Sequence, residues 1–153
     1  MKVIEGDILN IKNGVIVHQV NCQNVIGAGV SGAIIAKYPQ VETAYHYLCR
    51  FKKPKDLLGC FQSISIDKGL EIINLFTQLD YGNSKKTGKV YTDMPLLIKQ
   101  LHTICHDRKD KVTVYVPYGI GCGLAGGDWT EIEKDCADLD NLVAVRLQSD
   151  WME

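Results

Sequence analysis

The sequence predicts a three-layer α/β/α fold around a central mixed, mostly parallel sheet. Three observations carry that expectation. Apolar runs of strand length recur along the chain, among them "GVIVHQV", "LEIINLF" and "KVTVYVP". Segments with apolar residues at helical spacing stand between most of them. The runs are apolar almost throughout instead of alternating, as required where helices cover both faces of a sheet.

Taken in order, "KVIEG" (Lys2 to Gly6) reads as a strand and Gly14 to Val20 as a second, buried one. "GVSGAIIAKYP" opens a helix that Pro39 must end, because proline disfavours the helical conformation before it. Val41 to Phe51 forms another short helix, with Tyr45, Leu48 and Cys49 on one side. "GCFQSISI" and "LEIINLF" flank "DKG", a hairpin-type break in which Gly69 supplies a positive φ. "DYGNSKKTGK" reads as an exposed loop. In "TDMPLLIKQLHTIC", Thr92 or Asp93 is the N-cap and Pro95 lies in the first turn. There Met94, Leu97, Ile98, Leu101, Ile104 and Cys105 repeat at helical spacing. Lys111 to Pro117 is strand-like, "WTEIEKDCADL" is a helix, and "LVAVRLQ" is the last strand. With no internal repeat and no linker, residues 1–153 read as one domain.

A chain of 153 residues can bury a sizeable core without staples. Its net charge of −1 argues against a strong, sequence-blind grip on nucleic acid. No apolar run approaches the ~20 residues of a membrane span, and the opening "MKVIEGDILN" has no signal-peptide core, so no membrane partner is expected. Six cysteines without a CxxC pair read as reduced, packed thiols of a cytoplasmic protein. His102 and His106 stand four apart but lack the glutamate of an HExxH motif. A solvated helix end suits them better than a metal site, and no metal or cofactor is expected.

Ligands of open α/β sheets sit outside the carboxyl ends of the strands, and two such ends carry unusual glycine patterns. In "NCQNVIGAGVSG", Gly27 and Gly29 lead straight into a helix, so free backbone N–H groups meet a helix N-terminus, a setting that attracts phosphate. The Lys-Ser/Thr pair of a Walker A loop and a full dinucleotide fingerprint are both absent. "YGIGCGLAGGDW" (Tyr118 to Trp129) holds five glycines in twelve residues. Two such loops suggest a diphosphate held between two sets of backbone amides, the alternative being two independent tight turns.

"VIEGDIL", "VHQVNCQNVIGAGVSGAIIAKYP", "IINLFTQ" and "VPYGIGCGLAGGDW", in this order and spacing, resemble the macrodomain family, which binds ADP-ribose. The resemblance covers nearly the whole chain and is nearest to the branch containing the ADP-ribose 1″-phosphate phosphatases. It implies that Asp7 accepts from the adenine amino group beside the Ile8 amide, and that Phe76, with Thr77, lies near the adenine. From the residues alone, Asp7 is as readily a turn residue and Phe76 a core aromatic. Asn21, after Val20, would hold the terminal ribose, although it could equally cap its turn. Gly27, Ala28, Gly29 and Val30, with Ser31 following, would embrace the diphosphate from one side. Gly119, Ile120, Gly121, Cys122, Gly123 and Leu124, after Pro117, would do so from the other. Cys122 suits a small loop residue better than a nucleophile, since no arginine follows it as in a cysteine-phosphatase loop.

The resemblance implies removal of phosphate from ADP-ribose 1″-phosphate by a metal-independent enzyme, with Asn21, Asp128 and His18 as catalytic candidates. The ligands expected are ADP-ribose and ADP-ribose 1″-phosphate, bound by a monomer. Asp128 begins "DWTE", which also fits a capping box. His18 lies within an apolar strand, where a hydrogen-bonded core histidine is the ordinary occupant. A related glycohydrolase branch carries a lysine where this chain has Gln78 and an aspartate where it has Ala125. Both catalytic groups of that branch are thus missing at their positions, and the alternatives to a phosphatase are a non-catalytic ADP-ribose reader and a glycohydrolase acting on modified protein or DNA. Lys85 and Lys86 would reach the site only if their loop folds over it.

Overall fold

A computed structural model describes residues 1–108 and 112–147 of the chain. The sequence-based assignment of Lys111 to a strand, of Gln148 to the last strand and of a domain end at Glu153 lies outside the described residues.

The strands are β1 (Lys2–Glu5), β2 (Gly14–Asn21), β3 (Phe61–Ser65), β4 (Leu70–Gln78), β5 (Val114–Pro117) and β6 (Leu142–Arg146). The helices are α1 (Gly29–Lys37), α2 (Pro39–Phe51), α3 (Pro54–Leu57), α4 (Ser84–Thr87), α5 (Met94–Arg108) and α6 (Trp129–Asp135), with a 3-10 turn at Ile8–Asn10. One six-stranded sheet runs in the order β1-β6-β5-β2-β4-β3. Every neighbouring pair is parallel except β3 with β4, so the expected mixed, mostly parallel sheet is what forms.

Strand alternation divides the core into two faces. Val15 and Val17 of β2 and Ile73 and Leu75 of β4 join Leu97, Leu101 and Ile104 of α5 and Ile132 of α6. Ile16 and Ile72 point the other way and pack with Ile34 of α1 and Val41 of α2. Beyond them, Val20 and Phe76 meet Tyr45 of α2 and Leu57 of α3. Both faces of β2 and β4 are thus apolar because each is covered by helices.

Local chemistry sets the helix ends. The predicted stop at Pro39 holds, since α1 closes at Lys37. The same proline then opens α2 at its first turn, two residues before the expected start, because its fixed φ and missing N–H suit that position. Asp93 caps α5, its Oδ1 accepting from the Leu96 N–H at 3.1 Å. Thr92 is engaged elsewhere, donating its hydroxyl to the Gly121 carbonyl. The expected polar loop contains the short α4 and is tied down, with Ser84 N–H donating to Leu124 O at 2.8 Å and Tyr91 N–H to Ala125 O at 2.8 Å. Among the described residues no helix is long and apolar enough to cross a membrane.

Leu101 is fully buried between α5 and the sheet, whereas Lys99 on the same helix is exposed. Leu101→Ala should cost ~2–5 kcal/mol of unfolding free energy through lost burial and a residual cavity. Lys99→Ala should stay within ~0.5 kcal/mol. Urea denaturation of both variants checks the packing, and equal small effects would place α5 off the core.

Candidate ligand-binding site

β1, β6, β5, β2 and β4 all run in the same direction, so their carboxyl ends share one edge of the sheet. A cleft of about 970 Å³ lies along that edge. Asp7, Ile8 and Leu9 line one end, where β1 gives way to the 3-10 turn. Asn21, Gln78 and Asn83 line the side next to β2 and β4.

The two glycine loops form the walls between. The first turns into α1, whose cap position, Ala28, offers no side-chain hydrogen bond to the first-turn amides. Those donors and the helix dipole suit an anion. Gly27 and Gly29 take φ of +140° and +56°, a region that favours glycine. In the second loop Gly119 and Gly121 take φ of +79° and +73°. A Cβ built at Gly27, Gly29, Gly119 or Gly123 would meet no atom within 4 Å, so bare backbone borders open space on both sides.

Most sequence-predicted binding residues line this one cleft. Val20, Asn21, Ala28, Val30, Ser31, Pro117, Ile120 and Leu124 join the glycines and Asp7 and Ile8 in its wall. Asn21 does more than face the cleft, because its side chain builds the turn after β2. Its Nδ2 donates to Val25 O at 2.6 Å and its Oδ1 accepts from Gln23 N–H at 2.8 Å. The Tyr45 hydroxyl lies 3.0 Å from Asn21 Oδ1 and from the Asn21 carbonyl, and accepts from Val25 N–H at 3.1 Å. Asp7 likewise holds its own turn, Oδ1 accepting from Leu9 N–H at 2.9 Å.

Five predicted residues do not line the cleft. Phe76 is fully buried and stacks on Tyr45 with centroids 5.8 Å apart, so strand alternation sends it under the sheet. Thr77 is buried and donates to Gln19 Oε1 at 2.6 Å. Cys122 turns its thiol to Ile120 O at 3.2 Å, and burial pushes that thiol up to about 12, which leaves it protonated and inert. Asp128 is an exposed helix cap, Oδ1 accepting from the Thr130 amide at 3.0 Å and its hydroxyl at 2.6 Å. The Thr130 side-chain bond, then the Thr130 amide, holds its carboxyl below the ordinary range.

His18 is fully buried on the α1/α2 face, opposite Asn74 of β4. Its Nε2 lies 2.5 Å from Asn74 Oδ1 and its Nδ1 lies 2.8 Å from Ser31 Oγ. Burial pushes its pKa from 6.5 down to about 4, with the Asn74 bond acting the other way.

Sequence reasoning missed Gln19, Tyr81, Asn83 and Tyr118 as wall residues. Gln19 links the cleft floor together, its amide donating to Gln78 Oε1 at 3.0 Å and Thr92 Oγ1 at 2.9 Å. Its place at the end of β2, two residues before Asn21, was a usable signal. Tyr81 and Asn83 come from the loop that packs on the second glycine loop, and nothing local in the sequence marks that path. Lys85 and Lys86 are exposed and do not line the cleft.

No family model matches the sequence. A DNA ADP-ribosyl glycohydrolase of Mycobacterium tuberculosis is 26% identical over 132 residues, covering 84% of this chain and 35% of that protein. The chain therefore spans about a third of the length of the curated relatives it matches. The structure of a Bacteroides thetaiotaomicron protein of unknown function superposes with a TM-score of 0.81 at 25% identity, covering 95% of this chain and 96% of that one. The macrodomain of M. tuberculosis DarG matches at a TM-score of 0.65 and 25% identity, with 95% of both chains covered. The chain has the macrodomain fold. A Thermosipho africanus DarTG solved in complex with ADP-ribose shares the fold of this macrodomain, at 18% identity and a TM-score of 0.70 over 97% of the chain and 42% of that protein.

Two predictions follow from the macrodomain's buried polar groups. Tyr45→Phe removes the hydroxyl that Val25 N–H and Asn21 share, so it should cost ~1–3 kcal/mol by leaving polar groups unpaired. A loss under ~0.5 kcal/mol in urea denaturation would show that the turn holds itself. His18 binds its proton at about 4 when folded against 6.5 when free, so the unfolded state holds more protons between those values. Its contribution is fully present above pH 6.5 and is lost as pH falls toward 4, at up to ~1.4 kcal/mol per unit. Unfolding free energies measured from pH 7.5 to 5 should fall along this slope, and His18→Gln should flatten it.

Proposed function

We propose that this macrodomain binds ADP-ribose, with the diphosphate between the two glycine loops. The observation that carries the reading is their placement across one cleft, each presenting backbone that a side chain would block. Its length supports the reading too. Five strand ends span four spacings of ~4.8 Å, roughly 19 Å, which matches an extended adenosine diphosphate sugar better than a mononucleotide. The adenosine lies toward Asp7 and Ile8 and the terminal ribose toward Asn21, whose second Nδ2 proton remains for a ribose hydroxyl. The M. tuberculosis relative's name and the DarTG complex agree with this ligand class.

Recognition, more than turnover, is the function this geometry supports. Removal of phosphate from ADP-ribose 1″-phosphate needs a base at the cleft, and neither Asp128 nor His18 lines it. Release of ADP-ribose from a macromolecule is favoured by the glycohydrolase relative. Gln78 and Ala125 both line the cleft, at the positions where the glycohydrolase branch has its lysine and aspartate. An amide and a methyl group supply neither charge nor basicity there. We read residues 1–153 as one domain that acts as a monomeric ADP-ribose reader.

Calorimetry tests the reading. ADP-ribose should bind at least tenfold more tightly than AMP, because only the larger ligand reaches both loops. Gly123 has no positive φ and open space beside it, so Gly123→Glu should keep the melting temperature and abolish ADP-ribose binding. AMP binding as tightly as ADP-ribose, or an unchanged affinity in folded Gly123→Glu, would refute the two-loop model. Incubation with ADP-ribosylated DNA and with ADP-ribose 1″-phosphate should release neither ADP-ribose nor phosphate above the uncatalysed rate. Release of either product would return the chain to the corresponding enzyme class.

A further inference from the structure

Ser31 stands in the first turn of α1, in the cleft wall, with a chain of buried groups behind it. Asn74 fixes the sense of that chain. Its Nδ2 donates to Gln62 Oε1 at 3.0 Å and toward Val41 O at 3.4 Å, so its Oδ1 is the atom facing His18. An oxygen 2.5 Å from Nε2 requires that Nε2 carry the imidazole proton. Nδ1 of the neutral ring is then a bare lone pair, and the Ser31 hydroxyl donates to it at 2.8 Å. The other protein acceptor near Ser31 Oγ, Gln19 O, is farther at 3.4 Å and also lies within the protein.

The same three residues have the outline of a nucleophile, a base and an orienting amide. Two facts decide against that use. Burial keeps His18 at about 4, too weak a base at neutral pH to take a serine proton. Asn74 is neutral, and its oxygen offsets only part of what burial costs the imidazolium that proton transfer would create.

We propose that Asn74 and His18 lock the Ser31 hydroxyl inward, so that the Ser31 side chain offers the cleft only an oxygen acceptor and selects a ligand O–H at that point. Ser31 is thereby a specificity-determining residue, and His18 and Asn74 are positioning residues. Its neighbours at the start of α1 present N–H donors suited to phosphate oxygens; Ser31 presents the opposite character. The partner is a ribose hydroxyl or a water held on the diphosphate. Naming these partners rests on the ADP-ribose reading, whereas the lock itself does not.

The test combines calorimetry and imidazole ¹⁵N NMR on the full chain. Ser31→Ala should lose roughly two- to tenfold in ADP-ribose affinity, the range of one neutral hydrogen bond, and thermal melting shows whether the variant is folded. Titration with ADP identifies the donor. An unchanged ADP affinity assigns it to the terminal ribose, and an equal loss assigns it to the shared adenosine ribose or to a diphosphate-bound water. Unchanged or tighter binding of both ligands overturns the proposal. In the parent spectrum His18 should show the Nε2–H tautomer, and Ser31→Ala should move the Nδ1 resonance. An Nδ1–H tautomer overturns the lock. Failure of the parent chain to bind ADP-ribose would remove the functional reading, while the His18 tautomer would still decide the lock.

Discussion

Five parallel strands that end on one edge impose the constraint on which the rest of this structure depends. The chain must leave the sheet there several times, and each exit brings backbone donors and acceptors that no ladder pairs. Side chains could cover that edge, as Asp93 and Asp128 do for the helices they cap. At the exits from β2 and β5 the chain has glycine instead, and the backbone stays bare. The antiparallel β3–β4 hairpin turns at the opposite edge and leaves the cleft unobstructed.

Strand β2 joins the core to the cleft. Val15 and Val17 bind the sheet to α5, while Ile16 and Val20 face the helices of the other layer. His18 interrupts that second row with a polar group, matched across the ladder by Asn74. The pair satisfies its hydrogen bonds without charge, which suits its burial. One residue on, Gln19 points to the other face and ties the floor of the cleft to Thr77, Gln78 and Thr92. Consecutive residues of one strand therefore brace the two glycine loops from opposite faces, His18 through Ser31 and Gln19 through Thr92.

The turn after β2 shows how closely site and fold are bound together. Asn21 lines the cleft, yet its side chain is mostly engaged in its own loop and in the Tyr45 hydroxyl. Tyr45 in turn stacks on Phe76. Phe76, expected near the adenine, is instead part of the support beneath the turn that carries Asn21.

Much was determined by the sequence alone. Apolar strands, the Pro39 boundary, the Asp128 cap and the two glycine loops all depend on short-range periodicity and backbone conformation, which local residue chemistry dictates. Phe76 and Cys122 stood beside the right strand ends and still face elsewhere, because a shift of one residue along a strand or tight turn reverses a side chain. Thr77, on the opposite face from Phe76, is buried with its hydroxyl on Gln19. The wall formed by Tyr81 and Asn83 depends on a loop crossing to Leu124 and Ala125, residues some forty positions away in sequence. The state of Ser31 depends on His18 and Asn74, brought together only by β2–β4 register. Which way a side chain points and what its proton bonds to are set by neighbours distant in the chain, so only the tertiary structure decided them.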